Sequence, residues 1–364
     1  MTLESLKLTN FRNFEKVELQ LGPGVNLLLG DNGQGKTNIV EAVHLLSTTR
    51  SFRTSRDVDL VRFGEGTGYV GGGDVEVAIQ PGEKLIKLGG KPARAAEVLG
   101  VLRSVLFTPQ DMNLLSGTPA GRRAFLDELI SRIDRKYLLT LLSYNKVLKQ
   151  RNRQLWMVRE GRSRSDSLSG WNELLVRDGS SIVYRRWEVI RQLQKRLDEL
   201  AEQFLGAKVQ LRYLSKLASG EATISSIGQA FAAKIELGAE EEIRATTSLT
   251  GPHRDDFEMV IEDEKLGKKG RNLGRFGSRG EQRSAILALK LAEVSFNEEE
   301  TGSRPILLLD DVLSELDETH QEKVLREVWK QQTLITATSK NDFPEEVLGR
   351  SRVFEVKEGR VRIS

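Results

Sequence analysis

Hydrophobic and polar positions alternate in short runs over the first part of the chain, and Gly or Pro separates the runs. Alternation with a period of two predicts half-buried strands, because successive side chains of a strand point to opposite faces. The predicted strands occupy residues 3–8, 17–21, 25–29, 69–79 and 85–88. Residues 1–115 are therefore predicted to be built mainly from strands and turns.

From residue 116 the apolar positions recur at helical spacing. Residues 123–155 and 171–205 carry this pattern with few helix breakers, and a polar, Ser-rich break at residues 162–170 separates them. A further helix is predicted at residues 224–237. Residues 116–247 are therefore predicted to form a mostly helical lobe.

Strand-like segments with glycines return at residue 248. The pattern predicts strands at residues 259–262, 306–309 and 334–337, and helices at residues 282–300 and 321–330. Both ends of the chain thus have α/β character. Residues 248–364 are candidates to join residues 1–115 in one domain that the helical lobe interrupts.

A glycine-rich segment follows the third predicted strand and precedes a helical pattern. It fits the phosphate-binding pattern G-x-x-x-x-G-K-[ST] in the strand–loop–helix context that this motif requires. Its residues are Gly30, Asp31, Asn32, Gly33, Gln34, Gly35, Lys36 and Thr37. Glycines let backbone N–H groups point at phosphate oxygens, and the following helix adds partial positive charge. Lys36 is predicted to contact the β- and γ-phosphates of ATP, and Thr37 to bind Mg²⁺.

Two carboxylates follow the apolar strand at residues 306–309. Asp310 and Asp311 would lie at the carboxyl end of a buried strand, which is the sheet edge where α/β proteins bind nucleotides. Asp310 is predicted to hold Mg²⁺, and Asp311 to orient or deprotonate the attacking water. Thr37 and Asp310 are 273 residues apart, yet one Mg²⁺ would contact both. The two α/β ends are therefore expected to fold together.

Charge is unevenly distributed in a chain whose net charge is only +3. Residues 122–196 contain 18 Lys or Arg against 8 Asp or Glu, and residues 146–164 contain seven against one. Such a segment favours contact with DNA phosphates, although a solvated helical face would have the same composition. Trp156 and Trp171 in this segment are predicted to pack in the core rather than to stack on bases.

Other features of the composition exclude several classes of protein. The chain has no cysteine, which excludes disulfides and thiolate chemistry. Its three histidines are far apart in sequence, which disfavours a metal cluster. The apolar runs are too short to span a bilayer, and residues 1–15 lack the apolar core of a targeting segment. We expect no membrane association and a cytoplasmic location.

A second candidate anion site precedes the helix predicted at residues 282–300. Ser278 and Gly280 lie near its start, where free N–H groups attract negative charge. Because residues 30–37 already provide one phosphate site, Ser278 and Gly280 predict contact with a second nucleotide. Asp317 closely follows the acidic pair, in the segment 314–317.

The order of these motifs resembles that of ABC-type ATPase heads of the SMC and Rad50 kind. The resemblance implies an α/β P-loop fold with a mixed sheet, split in sequence by an inserted, mostly helical lobe. A narrower resemblance, over nearly the whole chain, is to the RecF family of bacterial recombination mediators. It rests on the phosphate loop together with NFRNF at residues 10–14, GRRAFLD at 121–127, QRN at 150–152, TGPHRDD at 250–256 and LDDVLSELD at 309–317.

In ATPase heads of this kind, two copies enclose two ATP molecules. The resemblance implies an ATP-dependent homodimer in which Ser278 and Gly280 contact the γ-phosphate bound by the opposing copy, while Asp317 couples the two sites. It places Arg12 and Asn13 near the nucleotide. It also implies that Gln110 senses Mg²⁺ and the γ-phosphate.

For function, the RecF-like motifs imply binding to double-stranded DNA near single-strand gaps and at single-strand/double-strand junctions, in the nucleoid. They imply cooperation with RecR and RecO in loading RecA during recombinational repair and replication restart. They also imply a weak, DNA-stimulated ATPase whose hydrolysis step drives release.

The sequence departs from the wider ABC pattern in two places. Asp311 stands where Glu is usual, and its side chain is one methylene shorter, which fits slow hydrolysis. No switch histidine follows residues 334–337, where only Thr336, Thr338 and Ser339 are available. His253, which lies in a RecF-like segment, is predicted to have a structural role.

Four other functions stay open at this point. The chain could be an SMC-like head that acts as a protein-partner switch, or a chromosome-structural head. It could also be the ATPase subunit of another ABC-type assembly such as a transporter, or an ATPase that works with a nuclease. The short helical insert disfavours the chromosome-structural head, which requires hundreds of heptad residues.

Overall fold

The computed structural model describes residues 1–218, 220–263 and 267–364. Within them the chain forms two compact units. The first unit consists of Met1–Asp111 together with Leu287–Ser364, and the second unit consists of Met112–Ile286. The two ends of the chain therefore fold into one unit, as the motif spacing predicts.

The strands and helices of the described residues are numbered in chain order. The strands are β1 (Ser5–Phe11), β2 (Phe14–Gln20), β3 (Val25–Leu29), β4 (Gly68–Gly72), β5 (Val75–Gln80), β6 (Glu83–Leu88), β7 (Lys91–Pro92), β8 (Ser104–Phe107), β9 (Val209–Leu214), β10 (Asp256–Asp263), β11 (Gly267–Asn272), β12 (Ile306–Leu309), β13 (Thr333–Ala337), β14 (Arg352–Lys357) and β15 (Arg360–Ile363). The helices are α1 (Lys36–Thr48), α2 (Ala95–Val98), α3 (Asn113–Ser116), α4 (Pro119–Ile133), α5 (Arg135–Arg159), α6 (Ser169–Leu205), α7 (Ile224–Leu237), α8 (Ala239–Ala245), α9 (Leu273–Phe276), α10 (Arg279–Thr301), α11 (Glu318–Val328) and α12 (Glu345–Arg350).

A mixed sheet in the first unit determines where the nucleotide-binding motifs lie. Its order is β15-β14-β3-β13-β12-β8, and every pair is parallel except β14 with β15. The carboxyl ends of β3, β13, β12 and β8 consequently meet at one edge. All residues of these four strands are buried, as expected for parallel strands covered on both faces.

A second, antiparallel sheet in the same unit has the order β2-β1-β4-β5-β6-β7. Side chains from both sheets and from α1 form one hydrophobic cluster, which includes Leu8, Val43, Val77 and Leu308. Helix α1 is buried on nearly all sides, which is typical of a helix in the interior of a domain. The helix that follows the phosphate loop is thereby held rigidly.

The second unit combines long helices with a three-stranded sheet. Helices α5, α6 and α7 pack together, and the sheet has the antiparallel order β11-β10-β9. Strand β10 pairs with β9 from Asp256 opposite Leu214 to Ile261 opposite Val209. None of the described helices in either unit is long and apolar enough to cross a membrane.

The structure confirms most predicted elements and corrects others. The helical stretch at residues 123–155 is two helices, because Asp134 accepts a hydrogen bond from the N–H of Tyr137 at 2.9 Å and caps a new helix there. The helix predicted at residues 321–330 begins and ends earlier, as α11. Strand β9, helix α8 and the β14–β15 hairpin were not predicted.

The boundaries of the units also differ from the predicted ones. The second unit begins at Met112 rather than at residue 116, and it extends to Ile286 rather than to residue 247. The reason is the pairing of β10 with β9, which holds residues 248–286 in the helical lobe. Residues 248–286 were predicted to belong to the first unit because their pattern of strands and glycines resembles that of residues 1–115, but they lie in the second unit.

Candidate nucleotide-binding site

The loop between β3 and α1 has a backbone that only glycine adopts readily. Gly35 has φ +117°, and a Cβ atom there would lie 2.7 Å from both polar atoms of the Asn13 side chain. A Cβ atom at Gly30 would collide with the carbonyl oxygen of Val356. The loop is therefore tightly curled. Helix α1 follows with no acidic residue in its first turn, so its N-terminal N–H groups keep their attraction for anions.

The ammonium group of Lys36 lies over this loop. It donates hydrogen bonds to the carbonyl oxygens of Gly30 at 2.5 Å and of Asp31 at 2.9 Å. Burial lowers the pKa of Lys36, while the nearby carboxylates of Asp311, Asp310 and Asp31 raise it in part. An ammonium group held over a loop whose backbone N–H groups can donate hydrogen bonds is suited to binding phosphate oxygens.

Thr37 and Asp310 are in direct contact across 273 residues of sequence. The Thr37 hydroxyl donates to Oδ1 of Asp310 at 2.9 Å. Asp310 is buried, and burial raises its pKa, although hydrogen bonds from Thr37 and Thr336 act in the opposite direction. The structure thus brings the loop motif and the downstream acid to one point, as their predicted joint contact with Mg²⁺ requires.

Thr336 links the two acids and was not assigned this role from the sequence. Its hydroxyl donates to Oδ1 of Asp310 at 3.0 Å and accepts a hydrogen bond from the N–H of Asp311 at 2.8 Å. Leu309 lies opposite Ile335 in the parallel pairing of β12 and β13, so Thr336 lies beside Asp310. The signal in the sequence was a single polar residue within an apolar strand.

Asp311 has an unusual backbone and an exposed side chain. Its φ is +55°, a left-handed conformation that is uncommon for residues other than glycine. The hydroxyl of Ser314 donates to Oδ1 of Asp311 at 2.9 Å. Thr338 and Ser339, the other candidates for the missing histidine, instead hydrogen-bond to Asp342 in the next turn.

Asn13 hydrogen-bonds to the loop, whereas Arg12 hydrogen-bonds to helix α1. The amide nitrogen of Asn13 donates to the carbonyl oxygen of Gln34 at 2.8 Å. Arg12, which has φ +53°, donates two hydrogen bonds to the carboxylate of Glu41, at 2.6 and 2.8 Å. Glu41 lies on α1, is buried and also accepts from Ser51 and Arg53. The motif patterns did not reveal Glu41, which fixes the guanidinium group of Arg12.

Four further residues of the loop have distinct surroundings. Asp31 and Asn32 are exposed at its tip, and Gly33 has open space where a Cβ atom would be. The side chain of Gln34 accepts a hydrogen bond from the N–H of Glu358 at 2.6 Å. Gln110 is exposed in the turn that follows β8, at the same sheet edge as Asp310.

Ser278 and Gly280 lie in the second unit, where α10 begins. The Ser278 hydroxyl accepts a hydrogen bond from the N–H of Glu281 at 3.2 Å, and the Glu281 carboxylate accepts one from the N–H of Ser278 at 2.7 Å. This reciprocal capping fixes the turn. Arg271 also donates to Glu281, and these hydrogen bonds lower the pKa of Glu281 to about 2. Both Ser278 and Gly280 are exposed, and Gly280 has no neighbour where a Cβ atom would be.

Asp317 caps α11. Its carboxylate accepts hydrogen bonds from the N–H of His320 at 2.9 Å and from Nδ1 of His320 at 2.7 Å. These hydrogen bonds lower the pKa of Asp317. The carboxylate is exposed, so it keeps free faces for other contacts. The side chain of Glu315, in the same motif, lies outside the described part of the structure.

The oxygen atoms at this sheet edge suit a hard divalent cation. The Thr37 hydroxyl and the Asp310 carboxylate lie within hydrogen-bonding distance of each other, and oxygen ligands of these types are those that Mg²⁺ takes in nucleotide sites. The loop backbone and Lys36 provide the matching phosphate contacts. The residues present therefore fit both ATP and Mg²⁺.

Comparison with known proteins agrees with this geometry. The family model described as RecF/RecN/SMC N terminal domain matches residues 2–362. A DNA replication and repair protein RecF from Ligilactobacillus salivarius is 35% identical, over 99% of this chain and 97% of its own length. The corresponding protein from Roseiflexus castenholzii is 38% identical, over 99% of each chain.

The chain belongs to the RecF family. Solved structures agree: the recombination mediator protein RecF with ATP has a TM-score of 0.91 at 33% identity, covering 100% of this chain and 97% of that one. The fold is that of an ABC-type ATPase head. An Smc head bound to the C-winged helix domain of ScpA, at 16% identity and a TM-score of 0.56, shares the fold alone.

Three of the RecF-like motifs meet inside the second unit. Arg122 donates two hydrogen bonds to the Asp256 carboxylate, at 2.6 and 2.8 Å. Arg186 donates to Asp127 and to the carbonyl oxygen of Pro252, each at 2.7 Å. The segments 121–127 and 250–256 thus hold each other through charged hydrogen bonds.

The third motif, at residues 150–152, contacts Glu242 and Ser248, which precede the segment 250–256 in the chain. Arg151 is 1% exposed and donates to the buried Glu242 at 2.6 Å and to the Ser248 hydroxyl at 2.7 Å. Asn152 accepts from the N–H of Ser248 at 2.9 Å. These three RecF-like motifs therefore organise the interior of the second unit.

The cations of the basic segment at residues 146–164 are exposed apart from Arg151. The exposed cations are Lys146, Lys149, Arg153, Arg159, Arg162 and Arg164. Trp156 is 37% exposed, and the guanidinium group of Arg162 lies 5.1 Å from its ring centre. Trp171 is also partly exposed. The prediction that these two tryptophans pack in the core is wrong.

Proposed function

We propose that this chain is an ATP-dependent DNA-binding protein of recombinational repair. ATP with Mg²⁺ binds at residues 30–37, at Asp310 and at Gln110. The contact between Thr37 and Asp310 carries the proposal, because it assembles the two halves of an ATP site from distant parts of the sequence. Support also comes from the whole-length likeness to a RecF structure solved with ATP.

Different residues of the chain bind the phosphates and activate the attacking water. The loop backbone and Lys36 bind and orient the phosphates, since their N–H groups converge and the ammonium group is a point charge. Bound Mg²⁺ would neutralise developing phosphate charge. Asp311 orients the attacking water and takes its proton, and its left-handed backbone, held by Thr336 and Ser314, fixes the direction of its carboxylate.

A second copy of the chain completes each site. Ser278 and Gly280 are exposed at the start of α10 with their cap already formed, which suits contact with the γ-phosphate of an opposing copy. Asp317 of the same copy couples the two sites, and Arg12 and Asn13 border the nucleotide. Hydrolysis is weak, is stimulated by DNA and opens the dimer.

Double-stranded DNA near single-strand gaps and junctions is the proposed partner of the second unit. Lys146, Lys149 and Arg153 are exposed and lie three and four residues apart on α5, so they share one helix face. Exposed cations on one face contact phosphates without selecting sequence.

The place of the chain in repair is proposed from its relatives. A matched structure with an ATP analogue is described as RecF in the RecFOR pathway. We propose that this chain acts with RecR and RecO in loading RecA, in the nucleoid of the cytoplasm.

Sedimentation velocity with a duplex DNA fragment tests the ATP-dependent step. ATP is expected to give a DNA-bound dimer, whereas ADP and the Lys36→Ala variant are not. A dimer that forms with ATP but leaves the DNA free would contradict the DNA role. That outcome would favour the second candidate, an SMC-like head that switches a protein partner.

A mixing experiment tests whether the two copies share each site. The Lys36→Ala variant lacks a working phosphate loop, and a Ser278→Arg variant lacks a working turn at the start of α10, so neither should hydrolyse ATP alone. Their mixture forms some dimers with one intact loop facing one intact turn. We expect ATPase activity to appear on mixing. A mixture as inactive as its components would mean that each copy completes its own site.

A further inference from the structure

The second unit contains a cavity that the ATP and DNA contacts do not use. Its volume is about 650 Å³, within the range of sites that bind small ligands or peptide side chains. It is lined by the turn Ser165–Leu168, the N-terminal part of α6 and the C-terminal half of α7. Most of its lining residues on α6 and α7 are exposed, so the cavity opens to solvent.

The floor of this cavity is apolar. Three buried residues line it, namely Leu155, Leu168 and Ile235. Ala232 forms an exposed wall without a large side chain. Leu237, which follows the lining residue Glu236, is 88% exposed. The cavity thus combines an apolar floor with an exposed opening, which is a feature of docking sites.

The rim of the cavity has an excess of negative charge. Glu173 and Glu236 line it and are exposed, and within the described part of the chain neither lies within 4.0 Å of a cationic group. The other charged lining residues have internal partners: Arg151 pairs with Glu242, Asp166 with Arg164, and Arg177 with Asp178. Two uncompensated carboxylates therefore face the opening of a lobe whose α5 face is basic.

We infer that this cavity is a docking site for a basic amphipathic segment of a partner protein. An apolar side chain of that segment occupies the floor over Leu155 and Ile235, and flanking Lys or Arg residues meet Glu173 and Glu236. The acidic rim repels nucleic acid and acidic peptides, whereas opposite charge at the rim of an apolar site gives orientation and specificity.

Fluorescence anisotropy with the full chain tests this inference. The probe is a fluorescein-labelled helical peptide of about 18 residues with one stripe of leucine and otherwise lysine, compared with its leucine–glutamate counterpart. The lysine peptide is expected to bind saturably, and the glutamate peptide is not. Ala232→Phe fills the cavity, and the double variant Glu173→Lys/Glu236→Lys reverses its rim, so each should weaken binding about tenfold or more.

Matched controls separate the cavity from general charge and folding. Ala233→Phe is the same change on the next, exposed residue of α7, which does not line the cavity. Glu199→Lys/Glu202→Lys makes the same charge reversal about 40 Å along α6 from Glu173. Both controls should bind the lysine peptide like the unmodified chain. All four variants should retain ATP-dependent DNA binding. Peptide binding is a separate measurement, so failure of the docking inference and failure of the proposed DNA role can be distinguished.

Three results would overturn the inference. The first is equal binding of the two peptides, or binding that Ala232→Phe leaves unchanged. The second is binding of the apolar dye 1-anilinonaphthalene-8-sulfonate that Ala232→Phe abolishes while peptide binding persists, since the cavity would then be a small-molecule site. The third is self-association of the chain that Ala232→Phe alone prevents, which would identify a second copy as the occupant.

Discussion

At the end of β12 one hydroxyl group contacts both acidic residues, the first through its carboxylate and the second through its backbone N–H. Thr336 donates to Asp310 and accepts from the N–H of Asp311, so one side chain sets both acids. Burial raises the pKa of Asp310, which disfavours its charged form, and the hydroxyls of Thr37 and Thr336 offset part of that shift. Because only the carboxylate can hold a cation, these two hydroxyls favour the form that the proposed Mg²⁺ site requires.

Replacing Thr336 by Val keeps the shape of the side chain and removes the hydroxyl. The N–H of Asp311 then loses its partner, and Asp310 loses a donor. We expect ATPase activity to fall by about ten- to a hundredfold, the usual effect of removing a group that orients a metal ligand. Steady-state hydrolysis and binding of a fluorescent ATP analogue measure this. Thr336→Ser, which retains the hydroxyl, should stay near full activity, and an active Val variant would contradict the role.

His253 is a structural residue whose protonation state follows from its partners. Its Nε2 lies 3.0 Å from the carbonyl oxygen of Ser248, which can only accept, so Nε2 carries the proton. Nδ1 is then the acceptor for the hydroxyl of Tyr144 at 2.6 Å. Burial lowers the pKa of His253 to about 4. A neutral imidazole therefore holds the turn at residues 250–256 against α5, within the second unit.

This pKa predicts a pH dependence of stability. Between pH 6.5, the ordinary pKa, and about 4, the unfolded chain binds a proton at His253 and the folded chain does not, so stability falls as the pH falls. His253→Gln keeps a donor and an acceptor but does not titrate. Relative to this variant, the unmodified chain should lose about 2 kcal/mol between pH 7 and pH 5. Denaturant unfolding at both pH values measures it, and parallel losses in the two proteins would contradict the assignment.

At the scale of single elements, α5 carries different chemistry on two faces. Tyr144, Val147, Arg151 and Leu155 recur every three or four residues and are buried. Lys146, Lys149 and Arg153 recur with the same spacing and are exposed. The inner face is fixed by packing and by the ion pair of Arg151 with Glu242. The outer face remains available for phosphate contacts.

Arg151→Met should destabilise the second unit strongly. The substitution retains an unbranched apolar stem but leaves the Glu242 carboxylate buried without its cation. Breaking one side of a buried pair costs about 3–5 kcal/mol. Thermal and urea unfolding measure the loss. Arg153→Met, the same change on the exposed face, should have little effect on stability, and equal stability of the two variants would show that the pair contributes nothing.

Charge reversal on the outer face of α5 should weaken DNA binding. For Lys146→Glu/Lys149→Glu we expect a higher dissociation constant for duplex DNA and a smaller dependence on salt. Each lost phosphate contact removes about 0.9 from the slope of log affinity against log salt concentration. Titrations at several salt concentrations measure both. Lys87→Glu/Lys91→Glu, in exposed residues of the first unit, is the matched control, and an equal effect would place DNA elsewhere.

At the scale of the whole molecule, the ATPase head is one unit made from both ends of the chain. Strand β3 pairs with β13 and β14, and β8 pairs with β12. The mixed sheet therefore cannot form until the chain has passed through the second unit and returned. Non-local pairing of this kind is slow to form, because the ends of a long segment must first meet. The contact between Thr37 and Asp310 depends on that closure.

The sequence by itself determined the residues that are chemically specific. Few other structures require the patterns formed by the glycines of the loop, Lys36, Thr37 and the acids after β12. The order of these motifs along the chain, and the distance between them, implied that the head is split in sequence. The periodicity located most long helices and buried strands, because these elements bury one face or all of it. Local patterns could not show where one unit ends, since β10 and its partner β9 are more than forty residues apart.

Only the tertiary structure decided what the remaining side chains do. It made Arg151 an interior residue and its neighbours Lys149 and Arg153 exposed ones, although all three are cations in one helix. It placed Thr336 between two acids and Glu41 behind Arg12. The physical reason is the same in each case: a side chain's role depends on which partners surround it, and those partners come from segments distant in the sequence.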